Sequence, residues 1–274
     1  MIIKLRPKRS FKAPVYAGCI SPDVLDGLSE PEVSRLEVWE GNRLKRLGDL
    51  FEIVKDEDSG DDESPTIILS GNLTKVRRIG AEMSRGRIVV EGDVGMHLGE
   101  GMKGGTIRVI GDAGPWVGCM MRGGLIEIEG SAGDYVGASY RGSREGMKGG
   151  TIIIHGDAGS EVGCFMKGGL IKIRGDAGQF VGVHMAGGTI LVEGDCGGRA
   201  GAEMTDGKII LCGYVPSILP TFTIDDVKSS AKVNGEKIKG PFYRFIGDIA
   251  EDGKGRLFVS KPRNPHLNFY EKYL

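Results

Sequence analysis

The side chains with most chemistry to offer stand directly after methionines. Lys103, Arg122, Lys148 and Lys167 each follow a Met, and those methionines recur at regular spacing, so the four cations share one phase of whatever the repeat builds. Like charges stacked about 5 Å apart repel, and a ladder of four invites an anionic partner. The plainer reading is a solvated face whose long aliphatic stems cover the edge of a core. Residues 138–145 interrupt the repeat where this basic series passes, and they add Arg141 and Arg144. A loop projecting from a rigid body is a natural docking or substrate-lining element, with ordinary loop drift as its alternative. Lys103, Arg122, Arg141, Arg144, Lys148 and Lys167 are therefore the candidate substrate or partner contacts.

No catalytic residue is assigned. Asp93, Asp112, Asp157, Asp176 and Asp195 recur at one position of the repeat, with Ser131 interrupting. Paired carboxylates can act as acid and base, but an Asp in every turn reads better as turn chemistry. Gly99-Glu100-Gly101-Met102-Lys103-Gly104 has the G-x-G-x-x-G spacing, yet a strand-like run follows it (Thr106–Val109) where a dinucleotide fingerprint needs a helix. His97, His155 and His184 fall in different phases of the repeat and His266 lies outside it, so no metal site is expected. Cys19, Cys119, Cys164, Cys196 and Cys212 include no C-x-x-C pair, which argues against thiolate metal sites and a disulfide framework. Cys119 and Cys164 share a phase, but two units of stacking would hold them about 9.6 Å apart, too far to bridge.

What must position these residues is a repeat. Gly supplies 47 of 274 residues and Pro only 11, a glycine content typical of collagen, linkers or repeats. Met83, Met102, Met121, Met147, Met166, Met185 and Met204 are separated by 19 residues, except for one step of 26 that contains the insertion. Gly stands three residues before most of these methionines and three after each; Ile is always five after, as in Ile88, Ile107 and Ile126. A β-branched or leucine residue follows two positions on, with mixed residues such as Arg108 and Glu127 between, and this period of two predicts a short strand with one buried face. One unit cannot bury its own Met, Ile and Val, so units must stack. The sequence therefore predicts an all-β fold, a right-handed β-solenoid (β-helix) of about seven 19-residue coils, about 34 Å long at the inter-strand spacing.

Covers are expected at both ends, where strand edges would otherwise be open. Residues 1–66 read as an N-terminal cover with a strand hairpin over 36–44 and an acidic loop over 56–63. Residues 67–213 hold the repeat, and 214–274 form a C-terminal cover or docking tail rich in Pro and aromatics. A net charge of −1 suggests no nucleic-acid partner. No apolar run is long enough for a signal peptide or a membrane span, so a cytoplasmic protein with reduced thiols is the expectation.

The unit G-x-x-M-x-G-G-x-I-x-V-x-G-x-A-G resembles the C-terminal domain of the glutamate synthase large subunit and, more closely, the C subunits of formylmethanofuran dehydrogenase. Four segments point to the latter: Ala13-Pro14 with Ser21-Pro22-Asp23-Val24, Leu47-Gly48-Asp49-Leu50-Phe51-Glu52-Ile53, Arg78-Ile79-Gly80-Ala81-Glu82-Met83, and Tyr140-Arg141-Gly142-Ser143-Arg144-Glu145-Gly146-Met147. The resemblance implies a non-catalytic scaffold in a complex that reduces carbon dioxide and attaches it to methanofuran, the first step of methanogenesis. It implies hydrolase-like, pterin-binding and polyferredoxin partners that carry the tungsto- or molybdopterin, the iron–sulfur clusters and the hydrolase metals, with no cofactor on this chain. It makes the basic column and Arg141 candidate contacts for the polycarboxylate tail of methanofuran. The C subunit of a methylotroph formyltransferase/hydrolase complex and a free-standing binding module are the competing readings.

Overall fold

A computed structural model describes residues 1–56 and 64–274. The acidic loop expected over 56–63 lies, beyond Asp56, outside the described residues. The strands are β1 (Ile2–Pro7), β2 (Val15–Tyr16), β3 (Glu37–Glu40), β4 (Arg43–Arg46), β5 (Phe51–Asp56), β6 (Thr66–Ser70), β7 (Val76–Arg77), β8 (Arg87–Glu91), β9 (Thr106–Val109), β10 (Leu125–Ile128), β11 (Thr151–Ile154), β12 (Leu170–Ile173), β13 (Ala186–Val192), β14 (Asp206–Leu211), β15 (Thr223–Val233), β16 (Glu236–Gly247) and β17 (Gly255–Ser260). Three short helices, α1 (Pro22–Leu25), α2 (Glu30–Arg35) and α3 (Leu47–Leu50), lie in the N-terminal part.

One strand per unit joins a 13-stranded sheet, ordered β15-β16-β17-β14-β13-β12-β11-β10-β9-β8-β6-β1-β5. From β1 through β6 to β14 and on to β17 the pairs are parallel; β5 on β1, and β15 and β16 beyond β17, pair antiparallel. Equivalent residues meet across each parallel pair, as in Ile88 with Ile107 and Ile107 with Ile126. A separate four-stranded sheet runs β4-β3-β2-β7.

The expected all-β right-handed solenoid is overturned by this arrangement. The molecule is a mixed 13-stranded sheet with antiparallel ends, a second small sheet and three α-helices, not a chain of coils closed by several strands each. The reason is visible in the backbone. Only the Ile-x-Val stretch of each unit stays extended long enough to form a strand; beyond the Gly-Asp turn a single residue per unit bridges its neighbour, in the series Leu73, Val94, Ala113, Ala132, Ala158, Ala177 and Cys196. Residues with positive φ follow closely, among them His97, Trp116, Tyr135 and Phe180, and they end the extended run.

The buried side of the sheet holds the repeat's Met and Ile series, all without solvent exposure. Space there is tight. A Cβ on Gly118, whose φ is +60°, would fall 2.4 Å from Ile152 Cδ1 of a later unit, so both conformation and packing demand glycine. Outside, the β15–β16 hairpin covers Leu170, Leu191 and Ile210 with Ala231, Val233 and Phe242.

Candidate functional site

Before every repeat Met except Met147, a left-handed residue stands five positions and another one position ahead; the insertion leaves Tyr135 as the equivalent of the first in the remaining unit, and these positions bring polar and aromatic side chains to one face. The first series runs Arg78, His97, Trp116, Tyr135, Glu161, Phe180 and Arg199, all with φ between +58° and +68°. Parallel stacking turns it into a ladder of rings. His97 lies over Trp116 at 5.2 Å and 4°, and Trp116 over Tyr135 at 4.4 Å and 10°. Next to this ladder is a cleft of about 800 Å³, bounded also by Tyr16, Arg77, Met120 and Tyr140.

Charge in the cleft is mostly cationic. Arg141 reaches back from the insertion and sets its guanidinium 5.8 Å from the centre of the Trp116 ring. Arg77 donates to the Tyr16 hydroxyl at 2.8 Å. Arg78 approaches Glu100 at 3.3 Å, and His97 Nδ1 lies 3.1 Å from the same carboxylate, off the line of a hydrogen bond. The His97 imidazole first, and Arg78 after it, hold the Glu100 carboxyl below its ordinary range against the opposing effect of burial. Trp116 Nε1–H is buried without an acceptor among the described residues.

The six sequence candidates part company. Lys103 pairs with Glu82 at 2.8 Å. Lys148 and Lys167 both grip Glu145, the latter at 2.5 Å, and their two contacts hold that carboxyl down to about 2. Three of the four column cations thus already have carboxylate partners; Arg122 and Arg144 have no ion-pair partner among the described residues. Arg141 stands apart from the column, in the cleft.

Other groups are occupied or shielded. The repeated aspartates bond across units instead of within their own turns. Asp93 Oδ1 accepts the Asp112 N–H at 2.9 Å, Asp112 that of Ser131, Asp157 that of Asp176, and Asp176 that of Asp195. Ser131 continues the series, its Oγ accepting the Asp157 N–H at 3.0 Å. Burial pushes the Cys119, Cys164 and Cys196 thiols up to about 12 and the Cys19 and Cys212 thiols to about 11, so none is poised as a nucleophile or ligand.

Sequence reasoning missed two groupings. Tyr135 drops out of the ring ladder when positions are counted back from Met147, because the insertion lies between; counting from Gly137 restores it. Glu127, Glu129 and His155 bring ligand atoms within 4.8 Å on the outer face of the sheet, a cluster invisible when only histidine phases are compared. Arg108 already engages Glu129 at 2.7 Å and His155 engages Glu127 at 2.9 Å, which makes the cluster an ion-pair network.

No family model matches the chain. The C subunit of the tungsten-containing formylmethanofuran dehydrogenase 2 of Methanothermobacter thermautotrophicus is 56% identical over 266 residues, 97% of this chain and 98% of that protein. This chain belongs to the family of formylmethanofuran dehydrogenase C subunits. Other members of the family align over shorter stretches: the C subunit of the molybdenum-containing formylmethanofuran dehydrogenase 1 of Methanothermobacter marburgensis is 44% identical over 95 residues, and there the chain spans 23% of its relative's length. The C subunit of the tungsten-containing enzyme of Methanothermobacter wolfeii is 43% identical over 99 residues, 36% of its length. Among solved structures, a chain of the formyltransferase/hydrolase complex from Methylorubrum extorquens, crystallised in complex with methylofuran, superposes with a TM-score of 0.82 at 36% identity, covering 94% of this chain and 99% of that one.

Proposed function

We propose that this chain is a non-catalytic subunit of a formylmethanofuran dehydrogenase complex, an oxidoreductase assembly that reduces carbon dioxide and attaches it to methanofuran. It scaffolds the hydrolase-like and pterin-binding subunits. What carries this reading is the 56% identity with a tungsten-type C subunit along nearly the whole of both chains. Pterin, clusters and hydrolase metals belong to the other subunits in this reading. Its support on this chain is chemical: five separate thiols, all shifted upward by burial, are poor candidates for holding a cluster. Among the described residues no helix is long and apolar enough to cross a membrane, and a cytoplasmic setting suits the free thiols.

The column Lys103, Arg122, Lys148 and Lys167 is the proposed contact for the polycarboxylate tail of methanofuran. Glu82 and Glu145 would have to yield to the incoming carboxylates. Neutralising the four column residues together is expected to weaken methanofuran binding by the assembled complex; unchanged affinity would remove this assignment.

The structural likeness to the methylotroph assembly favours one second reading, the equivalent subunit of a formyltransferase/hydrolase complex. Purification of the chain from its native source separates the two. A co-purifying molybdopterin-type subunit supports the dehydrogenase, and a stable complex without one supports the transferase.

A further inference from the structure

The cleft does not end at its own rim. Tyr16 on β2 pairs with Trp39 on β3, Trp39 with Leu44 on β4, and Tyr16 on its other side with Arg77 on β7. This row points outward, with Tyr16 41%, Trp39 49% and Leu44 47% exposed. Arg77 lies 5.3 Å from the centre of the Tyr16 ring and also bounds the cleft. From Arg77 the surface passes to Arg78 and into the His97–Trp116–Tyr135 ladder, with Tyr140 52% exposed beside it. Six steps at the inter-strand spacing make one strip about 29 Å long.

We propose that this strip is the surface on which the chain docks an acidic, extended segment of a partner subunit. The inference rests on the complex-subunit reading and names one interface within it. Three observations favour that occupant. First, aromatic side chains and arginine are what the core of a protein interface concentrates, and here they are contiguous. Second, the cleft sets Arg77, Arg78 and Arg141 against the single carboxylate of Glu100, on a molecule whose net charge is −1. That local excess of positive charge selects a carboxylate-bearing partner. Third, a small ligand is enclosed by its site, whereas the Tyr16–Trp39–Leu44 half of the strip is an open sheet face. The guanidinium of Arg141 is held in place in advance. Glu145 anchors the insertion to Lys148 and Lys167, and the Ser139 N–H donates to the Cys164 carbonyl at 3.0 Å, which lowers the ordering cost of binding.

The test uses the complex assembled with full-length variant chains. Trp39→Ala combined with Arg141→Glu is expected to leave the melting temperature of the free chain within about 2 °C while cutting recovery of at least one partner subunit by about tenfold or more. Arg174→Glu, exposed on the outer face of the sheet, is the control and is expected to assemble as wild type. A photo-crosslinker in place of Leu44 or Tyr140 is expected to capture a partner peptide carrying several Asp or Glu residues. Normal recovery with the double variant, or crosslinks only to peptides without carboxylates, overturns the proposal. Intact assembly with lost methanofuran binding overturns it too, and makes the strip a cofactor site. If the wild-type chain itself recovers no partner subunit, the complex-subunit reading fails instead, so the two failures are told apart.

Discussion

Trp116 combines favourable and unfavourable contacts in one side chain. Its ring stacks between His97 and Tyr135, and two such pairs contribute about 1–3 kcal/mol together. Its buried N–H has no acceptor among the described residues, which costs about 1–3 kcal/mol. Trp116→Phe keeps a ring in the stack and removes the orphan donor, so thermal unfolding should show a midpoint equal to or above that of wild type. Trp116→Ala removes both rings' contact and should lower it. A Phe variant as destabilised as the Ala variant would mean that the indole N–H is satisfied after all. The thiols allow a second check at this scale. Because burial pushes Cys119, Cys164 and Cys196 up to about 12, iodoacetamide at pH 8 should leave these three unlabelled in the folded chain and label them fully in denaturant.

Among the elements, the insertion is held by charge. Glu145 carries the contacts to Lys148 and Lys167, and its carboxyl is lowered from 4.5 to about 2. A carboxyl depressed on folding contributes stability that is complete above its unfolded value and is lost as pH falls through the folded one. The midpoint difference between wild type and Glu145→Gln should therefore be constant near neutrality and shrink as pH drops from about 4.5 toward 2; a pH-independent difference would refute the clamp. At pH 8 the same variant should be cut faster by trypsin after Arg141 or Arg144. Little of this was legible beforehand, since Glu145 reads as one more loop residue until Lys148 and Lys167 are seen to converge on it. The strands were legible, because Ile-x-Val alternation has only one extended solution with a buried face. The closing segments of each unit were not. Arg78, His97 and Trp116 carry no mark of their left-handed backbone in the sequence, and that backbone leaves single bridges where the solenoid expectation required strands. The step from Leu44 to Trp39 lies within the hairpin read over 36–44, but the continuation of that row through Tyr16 to Arg77 was hidden, since β2 and β7 stand some sixty residues apart.

For the molecule as a whole, cohesion lies between units more than within them. Many backbone N–H groups, the repeated aspartate carboxylates and the paired core side chains find partners one unit away. Two glycines separate the packing contribution from the conformational one. Gly118 and Gly142 both have positive φ, +60° and +84°, so replacement by Ala strains the backbone at either site by about 1–2 kcal/mol. At Gly142 nothing lies within 4 Å of the new methyl; at Gly118 it falls 2.4 Å from Ile152 Cδ1, 34 residues on. Gly142→Ala should then cost only the backbone strain, and Gly118→Ala several kcal/mol more through overpacking. Ile152→Val deletes the clashing Cδ1 at its own cost of about 0.5–1.5 kcal/mol. If stacking between units is what Gly118 protects, the double variant Gly118→Ala/Ile152→Val must be more stable than the two single costs predict, by at least about 0.5 kcal/mol in a denaturant titration. Strict additivity would place the cost of Gly118→Ala in its own turn, and the account of the core as a set of interlocked neighbouring units would fail with it.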